Sequence, residues 1–294
     1  MSAAGHVLSV DEFLEMPGMR CAVLGNPIEH SLSPQLHSAG YRALGLDMDY
    51  YRVEAGESRD IRRLLSESGD QVRGFSVTMP GKQAALELAD LATNRAQEIG
   101  SANTLVPQGD GKWLADNTDV DGVARCLEHL YGGDTSALEG ARAVIVGNGG
   151  TARPAVAALA AAGVTEVTVL ARSERALNLQ AVVETMGMEF SWARFEEADI
   201  AGTCTGAAAV ISTIPAHAAE ELAEGLCSAS GIVDVIYDPY PTPLLSSATA
   251  KSIPHADGLR MLAGQAEEQF RLFTGHSAPK GLMLDTVLRA KGQA

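Results

Sequence analysis

Four apolar residues, Ala143-Val144-Ile145-Val146, run straight into Gly147-Asn148-Gly149-Gly150-Thr151-Ala152, and no other stretch of the chain narrows its fold as much. A short apolar run bounded by a glycine turn predicts a strand buried within a sheet. An alanine-rich segment of helical length follows, and then a second short apolar run, Val167-Thr168-Val169-Leu170. In the order strand, glycine-rich turn, helix, strand, the glycines let the backbone approach a pyrophosphate, and the helix start supplies N–H groups and positive dipole. A glycine turn alone carries little; its place between strand and helix makes it a predicted dinucleotide site. Gly147, Asn148, Gly149, Gly150, Thr151 and Ala152 are expected to form it, with Ala152 in the third small position.

The end of the second strand selects the cofactor. An Asp or Glu there would hold the ribose 2′-hydroxyl of NAD, but this chain reads Ala171-Arg172-Ser173-Glu174-Arg175. Arg172, Ser173 and Arg175 suit a 2′-phosphate, which predicts NADP.

The rest of the chain alternates in the same way. Short apolar runs at 21–25, 50–53, 74–79, 101–106 and 112–115 read as strands, and 34–45, 58–68, 80–91 and 119–130 as helices. This pattern predicts parallel sheets covered by helices. The 294 residues allow two domains, with a linker expected at 132–136. A net charge of −15 argues against nucleic acid and anionic membranes as partners. Cys21, Cys126, Cys204 and Cys227 are scattered, which suits a reducing cytoplasm rather than a disulfide framework or zinc ribbon. The first twenty residues carry Asp11, Glu12 and Glu15 and no long apolar run, so no secretory signal is expected. The most apolar region, 154–171, is broken by Gly163 and Glu166 and reads as α/β structure rather than a membrane span.

Gly74-Phe75-Ser76-Val77-Thr78-Met79-Pro80-Gly81-Lys82 places a lysine where an acid–base group could sit. Alternation puts Ser76 and Thr78 on one face of a strand and Phe75, Val77 and Met79 on the other, with Pro80 opening a helix. Lys82 would then lie in the first helical turn, where the dipole disfavours an ammonium by about 0.3–1 kcal/mol and eases proton release. Asn117, Asp119, Asp121, Gly122 and Glu128 imitate a calcium-loop spacing, but the stretch before them reads as strand and turn. Asp119 and Asp121 read as the start of a helix, and no metal is expected.

Taken in order, these residues resemble the shikimate dehydrogenase family, especially its actinobacterial branch, over about residues 21–273. The motifs are Gly25-Asn26-Pro27-x-x-His30-Ser31-x-Ser33-Pro34, Ser76-Val77-Thr78-Met79-Pro80-Gly81-Lys82, Ala102-Asn103-Thr104-Leu105 and Asp116-Asn117-Thr118-Asp119. The glycine turn, Tyr237-Asp238-Pro239 with Thr242-Pro243, and Ala256-Asp257-Gly258-Leu259-x-Met261-Leu262-x-x-Gln265-Ala266 complete them. The resemblance implies an NADP-dependent oxidoreductase interconverting 3-dehydroshikimate and shikimate on the route to chorismate and the aromatic amino acids. It implies a two-domain α/β fold: a substrate-binding domain of residues 1–118 plus 259–294, a Rossmann-type NADP-binding domain of residues 119–258, and a cleft between them. Lys82 and Asp119 become the catalytic pair. Ser31, Ser33 and Tyr237 are implied at the substrate carboxylate, and Thr78, Asn103 and Gln265 at ring hydroxyls. Thr213, Val235 and Gly258 are implied near the cofactor, while His30 and His37 are structural.

Each polar position also has a plainer reading: Ser33 as a helix N-cap, Asn103 as a turn residue, Thr78 as part of a strand, Tyr237 as core, Gln265 as a solvated helical side chain. Ser76 stands where many members of the family carry asparagine, and Ala171 also replaces an asparagine. A monomer or homodimer in the cytoplasm, acting on a small molecule, is expected. The alternatives are an NAD-dependent quinate/shikimate dehydrogenase, against which Arg172 and the Ser31/Ser33 pair speak, and a non-catalytic NADP-binding sensor, against which Lys82 and Asp119 speak.

Overall fold

The computed structural model describes residues 6–292. The chain forms two compact units: one from the residues up to Thr118 together with those from Gln265 onward, the other from Asp119–Gly264. The second boundary falls inside the helix Gly258–Thr274 rather than at its start. The reason is a close helix crossing within the second unit. A Cβ on Gly264 would lie 2.7 Å from Arg125 Cγ and 3.2 Å from Gly122 Cα, and one on Gly122 would lie 2.5 Å from the Met261 carbonyl oxygen. Only bare backbone lets the first turns of Gly258–Thr274 lie this close to the helix Asp119–Leu130.

In the first unit the strands are β1 (Val7–Leu8), β2 (Arg20–Gly25), β3 (Asp49–Glu54), β4 (Val72–Val77), β5 (Leu91–Ala92), β6 (Thr104–Pro107) and β7 (Trp113–Asp116). They form one sheet in the order β1-β3-β2-β4-β6-β7-β5. The sheet is not wholly parallel as expected, because β6 runs antiparallel to both β4 and β7. The turn 108–111 forces the second of these pairings. Gly109 and Gly111 have φ of +79° and +80°, and the Gln108 N–H donates to the Lys112 carbonyl at 2.9 Å, closing a hairpin too short for a crossover.

The strand expected over 74–79 ends at Val77 instead, and Met79 is 62% exposed rather than packed with Phe75 and Val77. A turn closed by the Gly81 N–H on the Thr78 carbonyl (2.9 Å) intervenes, so the helix begins at Lys82, not Pro80, and ends at Leu88. Besides β1, three short elements were not expected. The helix Val10–Glu15 opens with a capping box between Ser9 and Glu12, β5 is two residues long, and Asn94–Ile99 is one short helix.

In the second unit β8 (Arg142–Val146), β9 (Glu166–Ala171), β10 (Glu189–Arg194), β11 (Ala209–Ser212), β12 (Ile232–Asp234) and β13 (His255–Asp257) form a parallel sheet ordered β10-β9-β8-β11-β12-β13. Alternation along β8 divides the core. Ala143 and Ile145 pack with one apolar cluster, Val144 and Val146 with another on the opposite face. Numbered within the unit the order is 3-2-1-4-5-6, the doubly wound arrangement whose switch point lies between its first and fourth strands. Those strands are β8 and β11. Among the described residues no helix is long and apolar enough to cross a membrane.

Gly74 in β4 supplies a test of packing. A Cβ there would meet Phe273 Cδ1 at 2.2 Å and the Leu105 carbonyl oxygen at 3.0 Å. Gly74→Ala should therefore cost about 1–3 kcal/mol of stability, measurable by denaturant unfolding.

Candidate functional site

The glycine turn lies where the sheet order places it, at the carboxyl end of β8. Gly147 has φ +93°, and a Cβ on it would meet Ile214 Cγ2 at 2.5 Å and Thr213 Oγ1 at 2.9 Å. Thr213 follows β11 and donates both its N–H and its hydroxyl to the Val146 carbonyl, each at 2.9 Å, tying the two sides of the switch point together. A Cβ on Gly150 would have nothing within 4 Å, and one on Gly149 only the Thr213 carbonyl oxygen at 3.6 Å. Asn148 is exposed beside them. The helix Ala152–Ala161 starts directly behind, with Thr151 at its N-cap position making no side-chain cap. This open cradle of bare backbone before a helix start fits a dinucleotide pyrophosphate. Arg172, Ser173 and Arg175 follow β9 and are all exposed. Glu174 between them turns to Arg194 Nη2 at 3.4 Å. Arg153, which the sequence reading did not single out, donates to the Asn178 carbonyl at 3.3 Å and so lies against the same loop.

Val235 and Gly258 come together after β12 and β13. A Cβ on Gly258 would lie 2.3 Å from the Val235 carbonyl oxygen, so only glycine permits the approach. The segment carrying Tyr237 is held from both ends. Tyr240 donates its hydroxyl to Asp257 Oδ2 at 2.7 Å, and Thr242 donates to Asp234 Oδ2 at 2.7 Å while its oxygen accepts the Leu245 N–H. Tyr237 itself is partly buried, and burial followed by the neighbouring Asp238 charge raises its phenol pKa.

In the first unit, Ser31 and Ser33 share one turn, the Ser33 N–H donating to Ser31 Oγ at 3.3 Å. Ser33 is not the N-cap of its helix. That position falls to Leu32, with no side-chain cap, which leaves the buried Ser33 hydroxyl outside any capping role. Arg52, also not singled out from sequence, is buried and donates Nε and Nη2 to the Ser31 carbonyl at 3.0 and 2.6 Å. A charged residue inside the run Tyr50-Tyr51-Arg52-Val53 was the signal available. Thr78 lies between β4 and the turn, its N–H on the Leu24 carbonyl at 2.8 Å. Lys82 is half-buried at the helix start, its carbonyl accepting the Ala102 N–H at 2.9 Å, next to Asn103.

Asn103 and Gln265 are brought together: Asn103 Nδ2 donates to Gln265 Oε1 at 3.4 Å. Gln265 is 8% exposed, so it is not the solvated side chain of the plainer reading. Asp119 is buried at the first position of its helix, where a carboxylate is favoured by the dipole. Leading into it, Asp116 accepts a two-pronged pair of bonds from Arg95 Nε and Nη2, both 2.7 Å, and one from Thr93. The calcium-like spacing does not form a loop. Residues 119–128 are helical, and Asn117 Nδ2 donates to the Ser101 carbonyl at 2.9 Å. Buried His37 stacks on Tyr50 with 4.2 Å between ring centres, and its pKa falls to about 3 through burial.

The strand order, cradle and arginine loop place the chain among dinucleotide-binding α/β proteins. Three sequence-family profiles match it: Shikimate dehydrogenase substrate binding domain over residues 23–105, Shikimate / quinate 5-dehydrogenase over 132–235, and Shikimate 5'-dehydrogenase C-terminal domain over 258–288. A Shikimate dehydrogenase (NADP(+)) of Citrifermentans bemidjiense is 35% identical over 269 residues, 89% of this chain and 91% of its own. The crystal structure of Mycobacterium tuberculosis shikimate dehydrogenase is similar with 41% identity and a TM-score of 0.84, over 92% of this chain and 99% of that one. The Thermus thermophilus shikimate 5-dehydrogenase, solved in complex with shikimate, matches at 31% identity and a TM-score of 0.75, over 93% and 99%. The chain belongs to the shikimate dehydrogenase family.

Two carboxylates here make opposite predictions. Burial tends to raise the Asp116 pKa, but the Arg95 pair, the Thr93 hydroxyl and the Asn117 N–H outweigh it and hold the group below the usual carboxylate range. Its stabilisation is therefore present above the unfolded-state pKa and lost as pH falls through the folded value. Asp116→Asn should cost about 2–3 kcal/mol at neutral pH by denaturant unfolding. Asp234 is pushed up to about 6 by burial, against the hydrogen bonds from Thr242 and Ile236. The folded state then takes up a proton that the unfolded chain, with a carboxyl pKa of about 3.9, does not. This contribution to stability grows by up to about 2–3 kcal/mol as pH falls through 6 towards 4. Asp234→Asn should abolish that growth, seen as a stability at pH 5 relative to pH 7 that is lower than in the wild type.

Proposed function

We propose that this protein catalyses the reversible, NADPH-dependent reduction of 3-dehydroshikimate to shikimate, in the cytoplasmic route to the aromatic amino acids. The observation that carries the reading is an arginine-and-serine strand end behind an open glycine cradle, in a member of this family that carries Lys82 and Asp119 together with Ser31, Ser33, Thr78, Asn103, Tyr237 and Gln265. Four buried, unpaired cysteine thiols support a reducing compartment.

In this reading the Asp119–Gly264 unit is the NADP-binding domain and the remainder binds substrate. Gly147, Asn148, Gly149, Gly150, Thr151 and Ala152 hold the pyrophosphate, and Arg172, Ser173 and Arg175 hold the 2′-phosphate. Thr213, Val235 and Gly258 border the nicotinamide half. Bound there, NADPH supplies the hydride. Ser31, Ser33 and Tyr237 donate hydroxyl hydrogens to the substrate carboxylate, and Arg52 keeps the Ser31 turn in place through its carbonyl. Thr78, Asn103 and Gln265 hold ring hydroxyls. At the ketone oxygen, where charge develops as the carbonyl is reduced, Lys82 provides a proton and a positive charge, and Asp119 orients the ammonium and opposes its desolvation.

Quinate with NAD is the second reading, favoured by the profile that covers shikimate and quinate enzymes together. Nicotinamide absorbance with shikimate or quinate, each paired with NADP or NAD, decides between them. Reduction with shikimate and NADP is the expected outcome. Rapid quinate turnover with NAD would replace the first reading with the second. Lys82→Ala should lower kcat about 10²–10⁴-fold with NADPH binding intact. Arg172→Ala should raise the KM for NADP about ten- to a hundredfold and leave that for NAD unchanged.

A further inference from the structure

Gln269 lies one helical turn beyond Gln265, buried, at the centre of a chain of hydrogen bonds whose direction can be read from two backbone groups. The Asn103 carbonyl can only accept, and it receives Gln269 Nε2 at 3.1 Å. The NH₂ end of Gln269 must therefore face it, which turns Oε1 to Ser76 Oγ at 2.7 Å. The single hydroxyl proton of Ser76 is spent on that bond, so the Tyr50 hydroxyl, 2.5 Å away, must donate to Ser76. Gln269 Nε2 also donates to Thr104 Oγ1 at 3.0 Å, and Thr104 passes its own proton to Asn103 Oδ1 at 2.7 Å. The Thr118 N–H can only donate, and it too lands on Asn103 Oδ1 at 2.7 Å. Asn103 is thereby oriented with Nδ2 towards Gln265 Oε1, and Gln265 in turn has its NH₂ end directed away from Asn103.

We propose that Gln269, backed by Ser76 and Tyr50, is a positioning residue that acts through Thr104 to reinforce the donor polarity the Thr118 N–H gives Asn103, and through Asn103 that of Gln265, so that the site offers amide hydrogens to ligand oxygens that accept. Within the site reading above, this selects ring hydroxyls whose protons point elsewhere and rejects a donor-only group in the same place. Every member is buried, where an amide turned the wrong way would set two acceptors face to face at a cost water cannot relieve. Ser76 is one of this chain's departures from the family pattern, and its short side chain lets the Tyr50 hydroxyl close the chain of bonds.

The inference rests on the proposed substrate, so wild-type turnover is measured first. Ser76→Ala should raise the KM for shikimate about three- to tenfold and Gln269→Met about ten- to a hundredfold, with kcat within about threefold and the KM for NADP unchanged. Combined with Asn103→Ala, neither should add a further loss, because each acts through that amide. Fully additive losses, or a fall in kcat with no change in KM, would overturn the proposal. If Gln269→Met does not fold, Ser76→Ala alone decides. If the wild type turns over neither shikimate nor quinate, the substrate reading fails, and NMR of the side-chain NH₂ groups decides in its place. Exchange of the Asn103 amide hydrogens about tenfold or more faster in Ser76→Ala than in wild type supports the polarity relay, and equal exchange overturns it.

Discussion

A strand with no face to water dictates the second unit. With Ala143 and Ile145 buried on one side of β8 and Val144 and Val146 on the other, the strand needs apolar cover on both faces and a hydrogen-bonded neighbour along each edge. Parallel β9 and β11 supply the edges, and because their connections leave in opposite directions, the chain parts at the end of β8. The cradle at Gly147 is what that parting leaves. The Thr213 bonds to the Val146 carbonyl then hold it at a defined width. Recognition of a dinucleotide is thus a by-product of how a doubly buried strand is packed.

The first unit obeys a different constraint. Its sheet carries polar and charged side chains inside, and those near the proposed site are matched. Arg52 is matched by the Ser31 carbonyl, Asp116 by Arg95 and Thr93, and Asn103 by Thr104, Thr118 and Gln265. Such pairing is directional where apolar packing is not, and this gives a site the orientation that a hydrophobic core alone could not impose.

Much of this was legible in the sequence because it depends on local pattern. The glycine turn, the apolar alternation of β8 and β9, the arginines after β9 and the ordered polar motifs all announce themselves within a few neighbouring residues. The hairpin of β6 and β7 was half legible: its turn was marked by Gly109 and Gly111, but the antiparallel direction it imposes on β6 was not drawn out. Pro80 does not open the helix because a turn closed by Thr78 and Gly81 competes with helix initiation, and nothing in the composition of that segment tells the two apart. The capping box at Ser9 and Glu12 has a local signature in the serine and glutamate three residues apart. Arg52 and Gln269 belong to another category, since their partners lie 21 residues away for Ser31 and 193 for Ser76. Only the assembled fold brings such groups into contact.

The crossing of the helices Asp119–Leu130 and Gly258–Thr274 has a consequence for which substitutions this chain can bear. Gly122 and Gly264 each occupy the space the other's helix requires, with the Met261 backbone and the Arg125 side chain as the walls. Neither glycine can gain a side chain while the other helix stays where it is, so the two positions are sterically coupled. The cost of a side chain at either position is therefore set by a residue more than a hundred positions away in sequence. The distance between these two helix axes is thereby set by two missing side chains rather than by any that are present.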